Sequence, residues 1–312
     1  MFISWAETLT YVTKFRAYAK KQGFKRALIK SFKKLRTIWW VKHGNAQQIK
    51  AFSKEEFGTL FLYFRCNVCG SPCVAKVGEL KRETPSCPIC GSTVRRRAII
   101  HVLSMELFGK SISLTDFPIR WDIIGIGMSD WIGYAAILEK KLGYTNTYYH
   151  QEPKLDITVI DSSLEGTLDF IISTDVFEHI SPPVSMAFQN ARRLLKQTGV
   201  LIFSVPYTRD GRTEEHFPEL YKYEIMQRGD SYTLRNVTKE GGEQVFDNLT
   251  FHSGFDERFG VTLEMRIFSE SSLMEEFEKA GFKKVKIYKE SIFDYGICWE
   301  NDVSLPIALR IE

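Results

Sequence analysis

From residue 98 onward, short apolar runs alternate with helical stretches, and this alternation constrains the fold more than any other feature of the chain. Residues 98–108, 131–142, 184–195 and 270–280 read as helices, the last closed by Gly281 and Phe282. Residues 121–126, 147–150, 157–160, 168–173, 199–205 and 285–288 read as strands. Strands and helices of these lengths in alternation demand a mostly parallel sheet covered on both faces. The expectation is an α/β, Rossmann-like, doubly wound sheet of seven strands occupying 98–312. A polar stretch of about 207–262 interrupts the pattern. Long excursions at the carboxyl ends of strands usually build substrate sites, so this stretch is expected to be an acceptor-side insertion.

The first strand runs into Gly125-Ile-Gly127-Met-Ser-Asp130-Trp131. A Gly-x-Gly turn lets a ligand approach the backbone, and the helix that follows offers N–H groups at its start. Asp130 stands where a dinucleotide fingerprint has its third glycine, which argues against NAD. The next strand leads into Tyr148-Tyr149-His150-Gln151-Glu152-Pro153, and an acid here can hold both hydroxyls of a ribose. Asp161-Ser162 follows the third strand, at the place of an adenine. The fourth ends in Asp175-Val-Phe-Glu178-His179-Ile180.

With these residues in view, 118–290 resembles the class I S-adenosylmethionine-dependent methyltransferases, of the group whose fourth strand ends in an Asp-x-x-Glu-His-Ile-like motif. Arg193-Leu194-Leu195-Lys196 before Gly199, and Ala280-Gly281-Phe282, belong to the same resemblance. It implies S-adenosylmethionine as cofactor, with Gly125 and Gly127 beneath its methionine portion, Glu152 on the ribose, Asp161 near the adenine amine, and Asp175 at the same site. The family usually carries an acid two residues before the first glycine, where this chain has Ile123 and Asp122 is one place off. Asp130 is the expected substitute on the cofactor's amino group.

Methyl transfer is an in-line displacement, so the protein supplies alignment and a competent nucleophile. An alcohol must lose its proton, for which histidine is the usual base. His179, just past the fourth strand, ranks first, ahead of His216 and His150, with Asp175 beside it. For each histidine the alternative is a neutral, hydrogen-bonded structural residue. Residues 214–220 and 248–254 are loosely similar to stretches of bacterial methyltransferases of glycan or polysaccharide assembly, which leans the expectation towards O-methylation of a sugar or another small-molecule hydroxyl. Phe217, Tyr221 and Tyr223 are candidates for stacking on sugar faces, or for ordinary packing.

Ahead of this domain, Cys66-Asn-Val-Cys69 and Cys87-Pro-Ile-Cys90 stand seventeen residues apart. Two residues between thiolates let both sulfurs face one ion, and Gly70 and Gly91 permit the positive φ of each knuckle turn. Four such thiolates suit structural zinc in a ribbon-like module over 59–97. Cys73 is a spare ligand with poorer spacing. Arg95-Arg96-Arg97 follows, to contact phosphates or, slightly favoured, to cap and solvate the next helix.

Residues 1–58 read as a basic helical extension. Residues 1–50 carry twelve Lys or Arg against one acid, Glu7, while the whole chain is only +4. The remaining residues are therefore net acidic, at −7. The arm either packs on the body or attaches to an anionic surface, a peripheral membrane or a nucleic acid. Neither a signal-peptide layout nor a bilayer-length apolar run is present, so the expected location is the cytoplasm, with the inner face of the membrane open as a docking place. Two other functions remain: an RNA methyltransferase gripping phosphates with the ribbon and the arm, and a non-catalytic cofactor-binding scaffold. The acidic body weighs against RNA.

Overall fold

A computed structural model describes residues 59–229, 231–247, 249–253 and 261–312. The basic arm expected over 1–58 lies outside the described residues. By contacts the described residues divide into two compact units: 59–66, 71–94 and 292–298 form one, and those within 67–70, 95–291 and 299–312 form the other.

In the smaller unit, β1 (Phe61–Arg65) and β2 (Pro72–Lys76) pair antiparallel with Phe64 opposite Cys73. Leu62 and Phe64 point inward while Tyr63 is exposed, the period-two alternation of a half-buried strand. Residues 292–298, assigned by their sequence to the larger domain, belong to this unit. There the backbone of Gly296, at φ 65°, lies so near the Phe64 ring that a Cβ would sit 2.7 Å from it.

The larger unit is entered along α1 (Val94–Phe108). Its strands and helices follow as β3 (Arg120–Met128), α2 (Ile132–Leu138), β4 (Leu142–Thr147), β5 (Leu168–Thr174), α3 (Ser185–Leu194) and β6 (Leu195–Ser204). The short β7 (Tyr207–Thr208) and β8 (Glu214–Glu215) lead into β9 (Lys222–Arg228), β10 (Ser231–Val237), β11 (Glu243–Phe246), β12 (Phe251–Ser253) and β13 (Val261–Leu263). The chain closes with β14 (Arg266–Ser269), α4 (Glu270–Ala280), β15 (Lys284–Ile287) and β16 (Ile307–Arg310).

The main sheet has six strands in the order β15-β16-β6-β5-β3-β4. The strands β4, β3, β5 and β6 run parallel, and β16 lies antiparallel between β6 and β15. This is the expected doubly wound α/β sheet, one strand short. Residues 157–160, read as a strand, form a turn instead. The Asp156 carboxylate accepts from both the backbone N–H and the hydroxyl of Thr158 (2.9 and 2.7 Å), bending the chain. The carbonyls of Ile157 and Thr158 accept from Asn190 Nδ2, so a side chain takes the place of a ladder partner. Helix α2 also stops four residues earlier than its apolar pattern suggests. Leu142 and Tyr144 instead face inward from β4, the edge of the sheet.

Five buried phenylalanines hold the helices to this sheet. Phe188 of α3 meets Phe177, Phe203, Phe268 and Phe277 at ring centroid distances of 4.7, 5.6, 6.3 and 5.4 Å, in tilted or edge-on arrangements. Helix α4 is capped at both ends, by the Ser269 hydroxyl accepting from Ser272 N–H and by Gly281 in the left-handed region at φ 93°.

The stretch read as a polar excursion is folded. Strands β11-β10-β9 form an antiparallel sheet, and Phe217, Leu220, Leu234, Leu263 and Met265 make a small core of their own. Among the described residues, no helix is long and apolar enough to cross a membrane.

Phe188→Ala removes the ring common to the five-phenylalanine cluster. It is expected to cost about 3–5 kcal/mol in urea unfolding; a loss below about 1 kcal/mol would mean the cluster does not anchor α3.

Candidate functional site

The order of the main sheet reverses between β3 and β5: after β3 the chain winds outward to β4, and it returns to β5 on the other side. Such a reversal leaves a crevice outside the carboxyl ends of the two strands. Ser129 follows β3 and Asp175 follows β5, and both are non-glycine residues with positive φ, 55° and 54°. Short polar side chains tolerate this region, and its small strain is typical of ligand sites. Each residue is tied to the next strand outward. Ser129 N–H donates to Thr147 O at the end of β4, and Asp175 N–H to Ser204 O at the end of β6, both at 2.7 Å.

Gly125 and Gly127, expected in a turn after the strand, lie inside β3, paired with β4 and β5 on either side, and are required there by the chain's own packing. A Cβ on Gly125 would lie 2.3 Å from the Phe170 ring. On Gly127 it would lie 2.0 Å from the Tyr144 hydroxyl and 2.1 Å from Asp130 Oδ2. Asp130, expected to reach the cofactor's amino group, is turned inward instead. Its carboxylate accepts from the hydroxyls of Tyr134 (2.7 Å) and Tyr144 (2.6 Å), and only 3% of the residue is exposed. Asn146 clasps its backbone, accepting from Asp130 N–H and donating to Asp130 O, each at 2.9 Å. Burial pushes the Asp130 carboxyl up to about 7, against the opposing pull of Tyr144, Tyr134 and Arg95. This residue braces the turn from beneath. Asp122 is likewise committed elsewhere, on the surface, where Arg120 pairs with both of its oxygens.

The arginine run after the second cysteine pair turns towards this crevice. Arg95 lies with Nε 3.1 Å from Asp175 Oδ2, and its Nη1 donates to Thr174 Oγ1 at 3.0 Å. The Arg96 guanidinium sits 4.2 Å over the Trp131 ring, and Arg97 is fully buried. The expectation of a solvated, helix-capping run is thereby corrected. Spacing alone carried no signal for it, because the contact partner of Arg95 lies eighty residues on.

Glu152 and Asp161 are both exposed at the β4 side. Glu152 accepts from Lys154 N–H at 3.0 Å. Asp161 caps the turn Ser162–Leu164, and this bond from Ser163 N–H lowers its carboxyl below the ordinary aspartate value.

On the opposite flank, two of the candidate histidines converge on one stretch of backbone. His179 Nδ1 lies 2.9 Å from Leu263 O, and His216 Nε2 lies 3.1 Å from Glu264 Oε1. Met265 N–H donates to Glu178 O and accepts, through its own carbonyl, from His216 N–H. The fully buried Arg266 donates to Phe177 O and pairs with Glu215, both at 2.7 Å. The Glu178 side chain is 1% exposed, with one oxygen 3.9 Å from His179 Nε2. His216 and Glu264 line a pocket of about 190 Å³ with Phe217, Phe246, Asp247, Leu249 and Thr250. Phe217 is buried packing, whereas Tyr221 and Tyr223 are exposed. His150 is exposed on the surface, its ring edge against Tyr149. Glu264 and Arg266 were not singled out by sequence, since neither falls in a recognisable spacing.

The four cysteines of the two knuckles gather as well. The sulfurs of Cys66, Cys69, Cys87 and Cys90 all lie within 4.8 Å of one another. Cys66 and Cys90 are 3.7 Å apart, close to the edge of about 3.8 Å that a tetrahedron of Zn–S bonds requires. Burial raises the Cys87 thiol, but bonds from the backbone of Cys90 and Ile89 and from neighbouring thiols outweigh it and bring the group to about 6. Cys73 stands 3.6 Å from Cys87 Sγ, outside the foursome.

The raised carboxyl of Asp130 has a consequence for stability. An acid whose folded value of about 7 exceeds its unfolded 3.8 stabilises the fold fully below the unfolded value. That contribution is lost as pH rises through about 7. Urea midpoints of the wild type are expected to fall over this window relative to Asp130→Asn. Parallel curves for the two proteins would refute a buried, protonating Asp130.

A family model described as a methyltransferase domain matches residues 118–287, more than half of the chain. No curated protein is significantly similar in sequence. Among solved structures, the chain is similar to an S-adenosylmethionine-dependent methyltransferase from Clostridium acetobutylicum, at 11% identity and TM-score 0.36, over 67% of this chain and 96% of that one. It is similar to a second such enzyme from Mesorhizobium loti, at 11% identity and TM-score 0.38, over 70% and 98%. A sugar N-methyltransferase from Streptoalloteichus matches at 10% identity and TM-score 0.37, over 68% and 85%. On the family match over residues 118–287, the chain belongs to the S-adenosylmethionine-dependent methyltransferases.

Proposed function

We propose that this methyltransferase acts on the hydroxyl of a sugar or another small molecule, in glycan or polysaccharide assembly, with His179 as the general base. The observation that carries this reading is the hydrogen bond at His179 Nδ1. A backbone carbonyl can only accept, so Leu263 O takes a proton from Nδ1, and in the neutral ring the lone pair then falls on Nε2. A base so oriented, just past the carboxyl end of β5, suits removal of a hydroxyl proton. His216, partnered by Glu264, is the second candidate base, and the exposed rings of Tyr221 and Tyr223 offer faces for a sugar.

The residues of the crevice fit the cofactor by their chemistry. When bound, S-adenosylmethionine supplies an electrophilic methyl on a sulfonium. Glu152 is an acceptor for a ribose diol, and Asp161, held ionised by its cap, is an acceptor for an adenine amine. Gly125 and Gly127 pack tightly on Phe170, Tyr144 and Asp130 and so fix the end of β3, which is read as lying under the methionine portion. Asp175 is an acceptor at the amino-acid end and aligns the crevice beside His179. The exposed acids Glu152 and Asp161, with the part-exposed Asp175, disfavour a polyanion such as RNA.

The cysteine foursome is read as a structural zinc site, closed by four thiolates and without a position for substrate. The basic arm is read as the attachment to an anionic surface, on a cytoplasmic enzyme.

His179→Gln is expected to lower kcat by about 10²–10⁴-fold, to flatten the rise of rate with pH through the histidine range, and to leave S-adenosylhomocysteine binding unchanged. An unaltered pH profile would remove His179 from the base role. Cys66→Ser with Cys87→Ser is expected to lose about one equivalent of zinc per chain, measured by plasma emission. Unchanged metal content would refute the site.

A further inference from the structure

The amino-acid end of the cofactor is a zwitterion, and the crevice must answer both of its charges. The acids nearest the glycine turn do not serve. Position 123 is isoleucine, Asp122 is paired with Arg120 at the surface, and the Asp130 carboxylate is buried between two tyrosine hydroxyls. Asp175 is the acid at the ends of the two switch-point strands that does lie at the crevice, with 22% of its side chain exposed. Against it stands Arg95, 15% exposed, reaching β5 through Thr174 as well. Arg95 precedes the matched methyltransferase span, which begins at residue 118, so the family pattern assigns it nothing.

We propose that Arg95 binds the carboxylate of the cofactor's methionine portion while Asp175 takes the ammonium. Each of the two groups is already the charge partner of the other, with Arg95 Nε 3.1 Å from Asp175 Oδ2. An α-amino acid carries its opposite charges on neighbouring atoms, so it can insert between guanidinium and carboxylate with each charge meeting its complement. No net charge is buried, and both protein groups exchange one charged partner for another. The planar guanidinium suits a carboxylate bidentately, which a lysine does not. Asp175 is held in place for this by its N–H bond to Ser204 O and its φ of 54°. The inference rests on the chain's use of S-adenosylmethionine and adds the residue that fixes its amino-acid end.

The test is a cycle of two ligands and two proteins, read by calorimetry. The ligands are S-adenosylhomocysteine and its decarboxylated analogue, which keeps the adenosine, the thioether and the ammonium. The wild type is expected to favour S-adenosylhomocysteine by about 100-fold, and Arg95→Gln to bind the two ligands equally. Arg95→Lys should restore only part of the preference. Equal binding by the wild type would overturn the proposal, and this arm needs no folded variant. A preference that persists in Arg95→Gln would also overturn it. Binding of neither ligand by the wild type would instead remove the cofactor assignment, and Arg95's role with it.

Discussion

Reversal of strand order between β3 and β5 is the constraint on which the rest of the molecule depends. It opens a crevice that neither strand's own ladder can close, so the two chain segments leaving it must be held by other means. The chain does this twice in the same way. Ser129 and Asp175 each take a left-handed backbone and donate to the carbonyl that ends the next strand outward. At the end of β3, the Asp130 carboxylate and the Tyr144 hydroxyl fill the volume that Gly127 leaves, and the Phe170 ring fills that of Gly125. Burying a carboxyl group is costly, and the cost is limited by hydrogen bonds to both oxygens and by the group's retreat towards its neutral form. The turn is therefore held by packing and hydrogen bonds of the chain itself.

The two halves of the proposed site differ in construction. The proposed cofactor half is built from strand ends of the main sheet, within a few residues of each turn. The proposed acceptor half depends on the segment 263–266, which receives His179 through Leu263 O, His216 through Glu264, and the backbone of Glu178 through Met265. That segment joins the small β-core of the insertion to β14, so the two histidines are oriented by the insertion rather than by the main sheet. Arg266, wholly buried and bonded to Phe177 O and Glu215, locks this segment to the turn after β5.

Much of this was legible in the sequence, because local signals sufficed. The Gly-x-Gly turn after an apolar run, the Asp175–Ile180 segment and the Ala280-Gly281-Phe282 stop each mark an element that the fold contains. The errors have physical reasons. Residues 157–160 look like a strand, but the Asp156 turn and the Asn190 amide satisfy their backbone instead. The inward rotation of Asp130 depends on Tyr144, fourteen residues away, and the reach of Arg95 depends on the rotation of α1. The sheet of the insertion was hidden by its polar outer face, although the sequence between Lys222–Arg228 and Ser231–Val237 is Gly-Asp, a dipeptide common between hairpin strands.

Hydrogen–deuterium exchange of the full chain, with and without saturating S-adenosylhomocysteine, bears most directly on where the cofactor lies. The account predicts slowed exchange in peptides spanning 125–131 and 174–180, the two sides of the switch point, with weaker protection at 148–152 and 161–164. Unchanged exchange at 125–131 and 174–180 under saturation, or protection confined to other strand ends, would contradict it.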